Sequence, residues 1–119
     1  MFELDSPLFS PRQSETEFPS APGSPKRFKK LDPLLHSELR LAIMSILASC
    51  DEADFVYIRE QTEATAGNLS VQLDKLTEAG YIETEKGFAG KKPRTVCRIT
   101  GHGRAAFSDY IDALKSYFE

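Results

Sequence analysis

The chain has 119 residues, enough for one domain, and its 15 Lys and Arg against 18 Asp and Glu give a formal net charge of −3. This balance excludes a histone-like protein that coats polyanions, and no apolar run approaches the ~20 residues that span a bilayer. The N-terminus carries no basic flank before an apolar segment, and the two cysteines and two histidines match no zinc-ligand spacing. We therefore expect a soluble cytoplasmic protein with no membrane partner, no metal and no cofactor.

Residues 1–30 differ in composition from the rest of the chain. They hold five of the seven prolines, interspersed with serines, and their apolar residues show no period. Because proline removes a backbone donor and fixes φ, this segment predicts a disordered or loosely docked Ser/Pro-rich arm. Its basic end, 26–30, fits either a phosphate contact or a solvated charge run. The folded domain is expected over 31–119.

Two helices are predicted next. The first spans about 32–49, with Asp32 as N-cap and Pro33 in the first helical position, and its apolar residues recur at helical spacing. Residues 55–56 fit either a minimal edge strand or the hydrophobic staple of the second helix. This second helix is short and spans about 57–63.

A third predicted helix spans about 68–79. Leu69, Leu73 and Leu76 lie at i, i+4 and i+7, which makes them the buried face of an amphipathic helix. Gly80 ends the helix, because glycine readily takes the left-handed conformation found after a helix C-terminus.

A β-hairpin follows, with strands over 81–86 and 94–100 and a glycine-punctuated loop over 87–93. A last helix opens at residue 100 or 101. The order helix, short strand, helix, helix, β-hairpin, helix predicts a winged helix-turn-helix, a mainly α fold with a small β-hairpin wing.

Three stretches of this domain resemble a known family: residues 34–43 (LLHSELRLAI), 67–82 (GNLSVQLDKLTEAGYI) and 90–107, which begins GKKPRT and ends ITGHGRAAF. They resemble the short single-domain winged-helix transcriptional regulators close to the MarR-like and ArsR-like groups, and the likeness covers about 31–119. It implies a cytoplasmic, usually dimeric repressor-like protein. Its third helix would enter the major groove of double-stranded DNA, and its wing would follow the adjacent backbone or minor groove.

The candidate DNA contacts lie off the leucine stripe of the third helix and on the wing. Asn and Gln bond bidentately to adenine, and Lys suits guanine. Residues 86–98 hold five basic residues and no acid, and clustered cations of this kind bind phosphates. Thr65 and Asn68 fit equally well as helix N-caps, and the wing cluster also fits a solvated hairpin tip. The candidate DNA-binding residues are Thr65, Asn68, Ser70, Val71, Gln72, Lys75, Lys86, Lys91, Lys92 and Arg94.

Three further side chains each fit two interpretations. Arg40 fits a phosphate contact or an ion pair with a carboxylate such as Glu38. Cys50 and Cys97 fit the redox pair of an oxidant sensor, but Cys97 fits better as a small buried apolar residue of a strand.

Large apolar residues continue along the last helix beyond what a winged core needs. Exposing them all is unfavourable, since each contributes roughly 1.5–3 kcal/mol when buried. The pattern predicts a homodimer interface, and the alternative is a monomer in which the first helix covers the stripe. The candidate interface residues are Phe107, Tyr110, Ile111, Leu114, Tyr117 and Phe118.

No Gly-rich phosphate loop, nucleophile elbow or paired-acid motif occurs in the sequence, so we expect no enzyme. The predicted function is a sequence-specific DNA-binding transcriptional regulator. The alternative is a winged-helix module that binds protein and has lost affinity for DNA, and it is favoured by the acidic pI and by Asp74 on the third helix. The sequence identifies no small-molecule effector.

Overall fold

The computed structural model, which describes residues 28–118, contains four helices and three strands. All but the last three residues of the predicted arm, and Glu119, lie outside this range. The order of elements matches the predicted winged helix-turn-helix. The elements are α1 (Glu38–Cys50), β1 (Glu52–Asp54), α2 (Phe55–Thr62), α3 (Ala66–Glu78), β2 (Ile82–Ala89), β3 (Lys92–Ile99) and α4 (Gly101–Lys115).

The first helix begins later than predicted. Its N-cap is Ser37, whose hydroxyl accepts from the Arg40 backbone N–H, and Asp32 instead closes a separate turn ahead of it. The Asp32 carboxylate is used twice, because it accepts from the Leu34 N–H at 3.0 Å and from the Tyr81 hydroxyl at 2.5 Å. The Asp-Pro pair therefore marks a turn tied to the start of the hairpin rather than a helix start.

The short strand also differs from the prediction. It forms from Glu52–Asp54, and Phe55 already belongs to α2, so the edge-strand reading of 55–56 is wrong. Asp54 explains the boundary, since its side chain accepts from the Tyr57 N–H at 2.8 Å and caps the helix.

The sheet is antiparallel in the order β1-β3-β2. Ala53 pairs with Cys97 and Ile82 pairs with Ile99, so these four residues lie on the face that packs against the helices. The core is completed by side chains of all four helices and of the turn before α1: Leu35, Ile43, Met44, Leu47, Ile58, Leu69, Leu73, Leu76 and Tyr110.

The hairpin is longer and tighter than predicted. Both strands extend through most of 87–93, and only Gly90 and Lys91 form the turn. Gly90 has a φ of 65°, which glycine adopts without steric cost at the first central position of a two-residue hairpin. Pro93 is tolerated near the tip because β1 pairs with β3 only at residues 96–98.

The base of the wing is held against the first turn of α4. Thr100 caps α4 by accepting from the Gly103 N–H at 2.9 Å, and its hydroxyl donates to the Gly80 carbonyl at 2.7 Å. Gly103 is buried against the backbone of Tyr81, where an added Cβ would lie 2.0 Å from the carbonyl oxygen. A side chain at position 103 would therefore push the base of the wing away from α4.

Candidate nucleic-acid interface

Helix α3 buries its leucines and exposes the opposite side. Thr65 is its N-cap and accepts from the Asn68 N–H at 3.1 Å, so the capping role belongs to Thr65. The side chain of Asn68 lies on the surface within the first turn. Val71 is 49% exposed, although it carries no polar group.

Three side chains form a chain of hydrogen bonds that ends at Asn68. The Arg40 Nε donates to the Leu34 carbonyl at 2.5 Å, and its Nη1 donates to Gln72 Oε1. The Gln72 Nε2 in turn donates to Asn68 Oδ1 at 3.0 Å. Among the described residues Arg40 makes no ion pair with Glu38 or another carboxylate, and Gln72 is half-buried and used within the protein. Arg40 and Gln72 are 32 residues apart, so no local sequence pattern indicates this link.

The exposed side of α3 has little positive charge. Ser70 and Lys75 are exposed as predicted, but Asp74 and Glu78 are exposed as well. One lysine against two carboxylates gives this helix weak electrostatic attraction for phosphates.

Carboxylates from β1 and β2 oppose part of the positive charge of the wing. Arg98 lies between Glu52 at 3.0 Å and Glu85 at 2.8 Å, and these hydrogen bonds raise its pKa, that to Glu85 most. Arg94 pairs with Asp54 at 3.4 Å. Counting residues 86–98 alone therefore overstates the charge that the folded wing offers to DNA.

Three lysines of the wing have no such partner. Lys86, Lys91 and Lys92 are exposed and make no ion pair within residues 28–118. Phe88, which the sequence predicts in a loop, instead lies on β2, where it is 74% exposed and pairs across the hairpin with Pro93. The wing tip thus combines unpaired cations with one large apolar ring.

The apolar stripe of α4 is partly covered by its own chain. Tyr110 is buried, and its hydroxyl lies 3.0 Å from Nδ1 of His36. Tyr117 remains 45% exposed and Phe118 82%, and Phe28 lies against Tyr117 with ring centroids 4.9 Å apart. The half-buried members of the stripe that pack against the core are Phe107, Ile111 and Leu114.

The cysteines differ in accessibility. Cys50 is exposed, whereas Cys97 is buried, and burial together with the nearby charge of Asp54 raises the pKa of the Cys97 thiol to about 11. A thiol that stays protonated at neutral pH is a poor nucleophile, so Cys97 fits the interpretation as a small core residue.

The hydroxyl of Tyr81 is also held protonated. The hydrogen bond to Asp32 raises its pKa to about 12, with burial and the Asp32 charge acting in the same direction. Nowhere in the described part of the chain do three His, Cys, Asp or Glu side chains converge as metal ligands would. Within the same range no helix is both long and apolar enough to cross a membrane.

Residues 39–118 match the family model of the winged helix DNA-binding domain. The chain belongs to this family. It is 36% identical over 78 residues to an uncharacterised protein of Methanocaldococcus jannaschii, a match that covers 66% of this chain and 85% of that protein.

Solved structures give the same result. A transcriptional regulator homologue from Pyrococcus horikoshii superposes with a TM-score of 0.67 at 32% identity, covering 71% of this chain and 84% of that one. The fold is also shared with NadR in complex with 4-hydroxyphenylacetate (TM-score 0.60, 18% identity, 72% of this chain and 63% of that chain). A MarR-family transcriptional regulator from Silicibacter pomeroyi also shares the fold (TM-score 0.56, 21% identity, 71% of this chain and 56% of that chain). The predicted class, a DNA-binding transcriptional regulator, is confirmed.

Proposed function

We propose that this winged-helix protein binds double-stranded DNA as a homodimer, with α3 in the major groove and the wing tip on the adjacent backbone or minor groove. The observation that carries the proposal is the location of the unpaired cations. The wing carries a cluster of three exposed lysines, Lys91 and Lys92 at the turn and Lys86 on β2, in a chain whose total charge is negative. Such a cluster attracts phosphates through counterion release regardless of the net charge.

The helix supplies the base contacts in this proposal. Asn68, Ser70, Val71 and Lys75 reach the groove from the exposed side of α3, and Val71 suits a thymine methyl group. Thr65 and Gln72 act from within the protein, as cap and as hydrogen-bond partner. Arg94, whose charge is opposed by Asp54, contributes less than the lysines.

The wing tip contacts DNA in two ways. The lysines bind phosphates, and the exposed ring of Phe88 packs against sugars at the edge of the minor groove, where apolar side chains are often inserted. Most of the Phe88 ring is in solvent, so the ring is accessible for this contact.

The proposed dimer contact is the C-terminal part of α4 together with the turn that follows it. Phe28, Tyr117 and Phe118 expose aromatic rings, of which the first two are in contact, and the half-buried Phe107, Ile111 and Leu114 continue the apolar stripe along α4. Aromatic rings bury 150–250 Å² each when covered, so a second copy seated here removes much apolar surface from water. Tyr110 stays outside this interface because its own chain buries it.

Fluorescence anisotropy tests DNA binding directly. Labelled random-sequence duplexes are titrated at about 50 mM and about 200 mM salt, and the affinity should fall with a log–log slope of roughly −0.9 per phosphate contact. Lys91→Ala should flatten this slope, whereas Arg104→Ala, which removes a positive charge from the first turn of α4 and so from outside both proposed contacts, should not. A slope near zero for the wild type contradicts the proposal and favours a module that binds protein.

A further inference from the structure

The hydrogen-bond chain from Arg40 to Asn68 has only one possible direction. A guanidinium has N–H donors and no acceptor, so the atom of Gln72 that faces Arg40 is necessarily its oxygen. The other end of the Gln72 amide is then a donor, and the atom of Asn68 that it meets is necessarily Oδ1. Arg40 is itself fixed by the Leu34 carbonyl, so the whole chain is anchored outside α3.

We propose that Arg40 and Gln72 are positioning residues that fix the hydrogen-bond polarity of Asn68, so that Asn68 presents N–H donors to DNA and selects guanine over adenine. This inference rests on the proposed placement of α3 in the major groove. It assigns Gln72 a role different from direct base contact, since both ends of its amide already have partners within the protein.

The chemistry of the base edges explains the preference. Asn reads adenine by accepting from N6 with Oδ1 while donating to N7 with Nδ2, which needs both ends of the amide to face the base. In this structure Oδ1 faces Gln72, and Nδ2 lies at the opposite end of the amide. Guanine offers two neighbouring acceptors, N7 and O6, that an outward NH₂ group satisfies, whereas the N6 amino group of adenine opposes it.

Replacing Gln72 by Glu reverses the direction of the chain. A carboxylate still accepts from Arg40 but has no hydrogen to donate, so Asn68 must turn its Nδ2 toward Glu and its Oδ1 toward the DNA. Gln72→Glu should then move the preference at that base pair from guanine to a base with a donor, adenine or cytosine. The expected change in relative affinity is roughly five- to hundredfold, the range of one well-formed base contact.

Two variants of Arg40 separate polarity from shape. Lysine also donates only, so Arg40→Lys should keep the guanine preference. Methionine donates nothing, so Arg40→Met should release the Gln72 amide and relax the preference until adenine is accepted as well. The readout is base preference rather than total affinity, because the charge added in Gln72→Glu weakens binding to every sequence.

The experiment selects binding sites from random duplex DNA with the full chain and its variants, after circular dichroism has shown that each variant is folded. Asn68→Ala identifies the relevant base pair as the one whose preference is lost. A wild-type preference for adenine there overturns the proposal, as does a Gln72→Glu or Arg40→Met variant that selects the same base as the wild type. If Asn68→Ala changes no base pair while the wild type still selects sites, the placement of α3 fails instead.

Discussion

Helix α3 and the wing, the two proposed DNA-contacting regions, use their polar side chains in opposite ways. On α3, Asn68 and Gln72 are held by hydrogen bonds within the protein, and the exposed side carries one lysine and two carboxylates. On the wing, three lysines have no ionic partner among the described residues. Side chains that are already fixed by hydrogen bonds lose little entropy when they contact a base, and base contacts distinguish sequences. Exposed lysines, in contrast, bind the phosphates of any sequence. In the proposed complex, the helix therefore supplies specificity and the wing supplies affinity.

A short rigid connection joins the two regions. Gly80 takes a φ of 80° directly after α3, and the Tyr81 N–H donates back to the Leu76 carbonyl at 3.0 Å. The Tyr81 side chain is then fixed to Asp32, so β2 leaves α3 at a defined angle. The helix and the wing are therefore held as one unit, and separating their proposed contributions to DNA binding requires changes at their surfaces.

The largest expected effect comes from breaking the proposed dimer, which would leave one helix and one wing per DNA molecule. Tyr117→Asp combined with Phe118→Asp should raise the dimer dissociation constant at least about 100-fold, since each aromatic contributes roughly 1.5–3 kcal/mol when buried. Sedimentation at micromolar concentration measures this. Phe118 is 82% exposed and Tyr117 45%, and both lie after the end of α4, so the fold itself should persist.

Val56→Asp is the control for this variant, because it puts a charge at an apolar position of α2 that is 55% exposed. It should leave the dimer intact. A wild type that is already monomeric at micromolar concentration contradicts the proposed interface, and so does a double variant that remains dimeric.

The next-largest effect is expected from a variant that disrupts the contact between the base of the wing and α4. Gly103→Ala places a methyl group 2.0 Å from the Tyr81 carbonyl oxygen, so backbone must shift. We expect the free energy of unfolding to fall toward the upper end of the roughly 1–3 kcal/mol typical of overpacking. Urea denaturation measures it, with Gly101→Ala as control, since an added Cβ there meets nothing within 4 Å. Equal stability of the two variants would show that the base of the wing is not packed as described.

A third change removes affinity while sparing specificity. Replacing Lys86, Lys91 and Lys92 by Ala should weaken binding to all duplexes alike, by about tenfold or more at ~100 mM salt, and flatten the salt slope by up to about 0.9 per lost contact. The preferred base sequence should not change. Arg98→Ala is the comparison, because its charge is already satisfied by Glu52 and Glu85. An altered preferred sequence in the triple variant would mean that the wing reads bases too.

Much of the scaffold could be predicted from the sequence, because it depends on local periodicity. The leucine stripe of α3 and the Thr100 start of α4 are as predicted, since apolar spacing and N-cap chemistry are visible within a few residues. The predicted helix start at Asp32 is wrong for a non-local reason. Its carboxylate is drawn to Tyr81, which is 49 residues away.

The electrostatics of the candidate site were harder to predict for the same reason. A run of residues gives the charge of a segment, but pairing across the sheet brings Glu52 and Asp54 beside the arginines of β3. Likewise, nothing near Gln72 in sequence reveals that Arg40 binds it. Positions on one element follow from spacing, whereas partners between elements depend on the register and packing of the fold.

The smallest expected effect comes from removing a negative charge from the exposed side of α3. Asp74 is exposed on the helix and has no ion pair among the described residues, so Asp74→Asn should remove a repulsion with phosphates worth roughly 0.5–1 kcal/mol at groove distances. Binding to all duplexes should then tighten about two- to fivefold, as measured by anisotropy at low salt, with the gain shrinking as salt is raised. Asp109→Asn changes the same charge on α4 and should have no such effect, because that position lies away from the proposed groove contact. If both variants tighten binding equally, only net charge matters and α3 has no special position; if Asp74→Asn alone does so, the helix lies close to phosphates and its carboxylate limits affinity.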